Sequence, residues 1–151
     1  LINLNAFGII CFQVLISFFM RKTSPLTSII VGVSVTVASF GLYLVGMSGW
    51  IVVTAILVFS VGEMMASPRS KEYAGRIAPP EKVGMDMGSF YWCVALGHLF
   101  GGVLSGQAYQ YFGPQGIDKP DLMWIIFAAL AASTAISLVI YNRWVTSDKS
   151  A

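Results

Sequence analysis

The chain is patterned as five apolar runs, at about 3–20, 26–47, 50–66, 87–112 and 122–141, parted by short polar or glycine- and proline-bearing links. A hydrocarbon layer about 30 Å thick asks for roughly 17–25 apolar residues of a helix rising 1.5 Å per residue. Each run meets that length. The pattern predicts an all-α fold, a polytopic transmembrane bundle of five spans. The links carry the expected punctuation. Arg21-Lys22 and Thr23-Ser24-Pro25 close the first span, since a proline restricts the residue before it. Ser48-Gly49 makes a turn, Ser67-Pro68 ends the third span, and a polar loop is expected over 67–86. Glu72 and Arg76 stand four apart in the favourable order, as on a short surface helix that Pro79-Pro80 would end.

Composition removes the soluble alternative. Only 11% of residues are charged and 56% are hydrophobic, against about 25% charged in soluble domains. Too little polar sequence is present to clothe a water-facing fold. The two cysteines, Cys11 and Cys93, lie inside apolar runs without ligand spacing and read as small hydrophobes. No metal and no cofactor is implied.

The basic residues give orientation. With five spans the links alternate sides, and every Lys and Arg except Lys119 then falls on one of them. The positive-inside rule puts the 67–86 loop and the C-terminus in the cytoplasm and the N-terminus outside. The expectation is a multi-pass protein of the cell membrane, in contact with the lipid bilayer. An outer N-terminus without a basic leader is natural if an odd number of spans precedes it. The chain therefore reads as the C-terminal transmembrane part of a protein whose N-terminal helix bundle is missing.

The fourth run has two faces. At 100° per residue, Gly84, Gly88, Tyr91, Ala95, His98, Gly102, Ser105 and Tyr109 form one stripe. Trp92, Leu96, Leu99, Phe100, Val103 and Leu104 fall on the other side. One face is expected to meet protein or a water-filled path. Gly97-x-x-x-Gly101 and Gly102-x-x-x-Gly106 are small-residue pairs of the kind that let membrane helices approach, and are assigned to helix packing. His98, the chain's one histidine, falls near the bilayer midplane, where ionisable groups mark ion pathways. The alternative for it is a neutral imidazole bonded to a neighbouring helix, through Gln13 or Ser17. Gln13 and Ser17 share a polar face of the first span. Glu63, the acid of the third run, either reaches toward headgroups and a loop arginine or serves function.

Glu63-x-x-x-Ser67-Pro68, then Ala78-Pro79, Met87-Gly88 and Trp92, resemble the tenth helix, following loop and eleventh helix of the major facilitator superfamily. Within it the residues are most similar to the proton-dependent oligopeptide (POT) transporters. Arg69-Ser70 departs from the small residue and glycine that those transporters favour after Ser-Pro. The resemblance covers about 62–92, and it implies that the spans are helices eight to twelve of twelve. It further implies that Glu63 serves substrate binding and gating, and that Ser67 and Pro68 form the break ending the gate helix. His98 has no counterpart to carry over.

The function expected is secondary active transport of a small solute by alternating access, coupled to protons, with peptide uptake as the subfamily reading. The substrate and proton pathway would use Glu63, His98, Gln13, Tyr91 and Ser105. A non-transporting module that assembles with partner helices is the alternative. An enzyme is not expected, because one histidine and one near-interface glutamate supply no paired acids, nucleophile–base pair or metal set. Nucleic acid is not expected as a partner either, because the basic residues follow topology rather than forming a patch.

Overall fold

In the computed structural model the described residues are 2–46, 48–114 and 116–148. The expected end of the second run at Met47 and the tail residue Lys149 lie outside them. The described residues form five helices and no strand: α1 (Ile2–Met20), α2 (Pro25–Val45), α3 (Gly49–Ile77), α4 (Val83–Phe112) and α5 (Pro120–Asp148). Four of them, α2 to α5, are long and apolar enough to cross a membrane, and α1 adds the shorter apolar helix Ala6–Met20. The chain is an all-α membrane helix bundle. It divides into two compact units, residues 1–70 with 124–151, and residues 71–123.

Local chemistry sets the helix ends in the first unit. The Met20 carbonyl at the end of α1 accepts from Thr23 N at 3.1 Å and from Thr23 Oγ1 at 2.8 Å, so orphan helix-end groups are met at once. The Ser24 side chain then accepts from Thr27 N at 3.2 Å, and Pro25 follows as the first residue of α2. Ser at the N-cap with Pro just inside is the favoured helix start.

Small residues carry the packing. Ala55, Ser28 and Ser39 are 0% exposed and Ser60 is 1% exposed, whereas Phe7, Ile10, Val14 and Phe19 on α1 are well exposed. Lipid tails are as apolar as leucine, so large side chains gain little by turning inward, while small ones let backbones meet. The buried hydroxyls are satisfied within their own helices: Ser28 Oγ donates to Ser24 O at 3.1 Å, Ser39 Oγ to Thr36 O at 2.7 Å, and Ser60 Oγ to Ile56 O at 2.8 Å.

α2 and α3 run antiparallel, with Gly32 against Gly62 and Ala66, and Thr36 against Gly62. Further along, the Phe40 and Phe59 rings stand 6.0 Å apart. α5 joins through aromatics, with Trp124 stacked on Tyr43 at 4.0 Å and 9° and Phe127 at 6.2 Å from Phe40. Trp124 is therefore an inter-helix residue, and its Nε1 is buried without a hydrogen-bond partner among the described residues.

α1 and α3 run parallel. Gly8 lies beside Ser60, where an added Cβ would be 3.9 Å from the Ser60 Cβ. Gln13 reaches Met64 and Arg69 reaches Met20. Three levels of contact thus keep one order along both helices.

The expected break at Ser67-Pro68 is not there. α3 continues to Ile77 with Pro68 inside it, so the expected 67–86 loop shrinks to the few residues before Val83. A proline deletes the N–H that would serve the carbonyl four residues back, here Met64. In water that loss ends many helices. In a bundle, a neighbouring side chain can replace the donor, and Gln13 Nε2 does so at 3.4 Å.

The second unit holds the last turns of α3, α4 and the link after it. Glu72 and Arg76 pair at 2.7 Å on the continuing α3 rather than on a separate surface helix. α4 begins at Val83, ahead of the expected 87, with Asp86 in its first turn, where a carboxylate suits the helix dipole. After α4, Gly113 N donates to Tyr109 O at 2.9 Å and Lys119 N to Phe112 O at 3.0 Å, folding the link back on the helix end.

Candidate functional site

The residues singled out by sequence fall into two groups. Gln13, Glu63, Ser67 and Pro68 belong to the first unit; Tyr91, His98, Ser105 and the four glycines 97, 101, 102 and 106 belong to α4 in the second.

The first group is drawn together by the parallel α1–α3 pair. Glu63 is half-buried, and both its neighbours are buried. Gly62 is locked against α2: a Cβ there would come 2.6 Å from Thr36 Oγ1 and 2.7 Å from Gly32 O. Met64 is 3% exposed, and its carbonyl accepts from Gln13. The backbone that carries Glu63 is thus fixed on one side by α2 and on the other by α1. The Glu63 carboxylate is thus carried on a rigid element, short of full burial.

The Gln13 side chain is engaged between α1 and α3. Its Nε2 donates to Met64 O and, also at 3.4 Å, to Ser17 Oγ. Ser67 is exposed and Pro68 half-buried. Just beyond them, Arg69 Nη2 donates to the Met20 carbonyl, where α1 ends. A cation at a helix C-terminus meets the negative end of the helix dipole, and here it joins Thr23 on the Met20 carbonyl. Sequence reading missed this contact; Arg69 registered there as a departure from a family pattern, and nothing local links it to Met20.

On α4 every position from 91 to 107 is exposed, both the small-residue stripe and the bulky face. Tyr91, His98 and Ser105 share the stripe by helical spacing, and Tyr91 is half exposed. Nothing lies within 4 Å of a Cβ added at Gly97, Gly101, Gly102 or Gly106. Among the described residues these glycines therefore pack against no helix. The close approach occurs at Gly32 and Gly62 instead, where Gly32-x-x-x-Thr36 meets Gly62-x-x-x-Ala66. The small-residue spacing was visible in sequence at that place too.

Helices of this length and composition define a multi-pass membrane protein. The chain is similar to the uncharacterized MFS-type transporter YttB of Bacillus subtilis (strain 168), 24% identical over 149 residues. The match takes in 97% of this chain and 36% of that protein, so the chain spans about a third of the length of the curated relative. No family model matches the chain, and no solved structure matches it.

Proposed function

We propose that the chain is the C-terminal part of a secondary transporter of the major facilitator type, which moves a small solute by alternating access. The observation that carries this is the match to an MFS-type transporter along 97% of the chain, joined to a bundle whose helices have the length to span a bilayer. On this reading α1 to α5 are the last five of twelve helices, and an N-terminal bundle completes the solute path. The ends bearing Arg21 and Arg69 face the cytoplasm, as the distribution of basic residues favours.

The finer proposal is proton coupling, with Glu63 as the proton carrier. Support comes from its half-buried position on a doubly fixed backbone. His98, Tyr91 and Ser105 line the solute path once the N-terminal bundle faces α4, and Gly97, Gly101, Gly102 and Gly106 receive helices of that bundle. Similarity of Glu63-x-x-x-Ser67-Pro68 to the oligopeptide transporters makes small peptides the first solutes to try. Because α3 runs through Pro68, that residue acts within the helix and does not end it.

The test is proton flux. Proteoliposomes of the complete transporter, loaded with a pH dye, are challenged with alanyl-alanine, then with amino acids, sugars and organic cations. Acidification of the lumen with one class is expected and names it. Solute exchange without any proton movement would remove the coupling, and no exchange of any class would favour a helix-assembly module.

A further inference from the structure

Proline inside a helix normally marks the place where it bends. Around Pro68 the structure shows two ties from α3 to α1, one on each side. Before the proline, the α1 side chain Gln13 donates to the α3 carbonyl of Met64 at 3.4 Å. After it, the α3 side chain Arg69 donates to the α1 carbonyl of Met20. The Met64 carbonyl is one its helix cannot serve by itself, and the Met20 carbonyl, which also accepts from Thr23 N and Oγ1, ends α1. Met64 has lost the N–H of residue 68, and Met20 stands in the last turn of its helix. On α1 the two anchor points are about 10 Å apart along the axis, at 1.5 Å per residue.

From this geometry we infer that α1 is a splint across the proline of α3, and that Gln13 is a positioning residue for Glu63. Gln13 stands in for the missing backbone donor. It holds the turn of residues 63 to 66 at one height against α1, and Gly62 holds the same turn against α2. α3 cannot bend at Pro68 while both ties are made, so the carboxylate of Glu63 keeps a fixed placement. Releasing Gln13 frees that turn. The inference rests on the transport proposal only for what Glu63 does; the splint stands on the two contacts.

Amide hydrogen exchange over residues 64–72, measured on the complete protein in nanodiscs, tests it without any transport assay. Gln13→Leu is expected to speed exchange there about fivefold, the worth of one side-chain hydrogen bond. Pro68→Ala returns a backbone donor to Met64, so in that background Gln13→Leu is expected to change exchange less than about twofold. Equal acceleration in both backgrounds, or none in the parent, would overturn the splint. If Gln13→Leu alone does not fold, recovery of folding in the double variant supports the inference, and its absence overturns it. A transporter that shows no proton flux leaves these exchange rates untouched, so the two proposals fail separately.

Discussion

Gly32 and Gly62 meet backbone to backbone: a Cβ on either would come 2.7 Å from the carbonyl oxygen of the other. Those carbonyls are main chain and cannot turn aside as a flexible side chain could, and Thr36 Oγ1 and Ala66 Cβ crowd the same places. The α2–α3 seam therefore depends on two glycines that sit far apart in sequence. Through Gly62 it also fixes the backbone next to Glu63.

The seam predicts an asymmetry between glycines. Gly62→Leu is expected to destabilise the chain by about 1–3 kcal/mol or more, as overpacking does. Gly102→Leu, where a Cβ meets open space, is expected to leave the chain's thermal stability in detergent within the error of the assay. On the proposed reading, Gly101→Leu or Gly102→Leu in the complete protein should instead impair assembly, seen as loss of the monodisperse peak in size-exclusion chromatography. Equal melting shifts for Gly62 and Gly102 in the isolated chain would refute the asymmetry.

Arg69 supplies a second prediction. Arg69→Ala removes the donor that reaches the Met20 carbonyl, and a cation near a helix C-terminus contributes typically about 0.3–1 kcal/mol, up to about 2 when partly buried. A loss of about 1 kcal/mol in chemical denaturation is expected. By contrast, Arg76→Ala breaks an i,i+4 pair whose arginine side chain is 67% exposed, and such pairs are usually marginal. No measurable change should follow.

Orientation is open to direct labelling. In intact cells, cysteine placed at Lys119 is expected to react with a membrane-impermeant maleimide, and cysteine placed at Lys22 only after lysis. Cys11 and Cys93, both exposed on the helices, are replaced by serine first. Reaction at Lys22 in intact cells would invert the topology.

The helices were legible because membrane length and hydropathy dictate them almost alone. Glu72 and Arg76 were legible because the i,i+4 rule holds wherever the helix happens to continue. Pro68 was misread because the penalty for a proline is judged from its own helix, whereas the replacement donor is Gln13, 51 residues before the Met64 carbonyl it serves. The packing glycines were sought at 97–106, where they are densest. Spacing tells which helices can be approached, and only the fold tells that Gly32 and Gly62 are. The contact of Arg69 with Met20 had no sequence signal, since it joins an arginine to a main-chain carbonyl that any residue could supply.

The central claim is that Glu63 carries the proton of a coupled transporter, and one substitution tests it most directly. In proteoliposomes of the complete protein, Glu63→Gln keeps the shape of the side chain and removes its titration. The account predicts that uptake driven by a pH gradient is abolished while solute counterflow, which needs no net proton movement, persists. Uptake at the wild-type rate under the same gradient would contradict it.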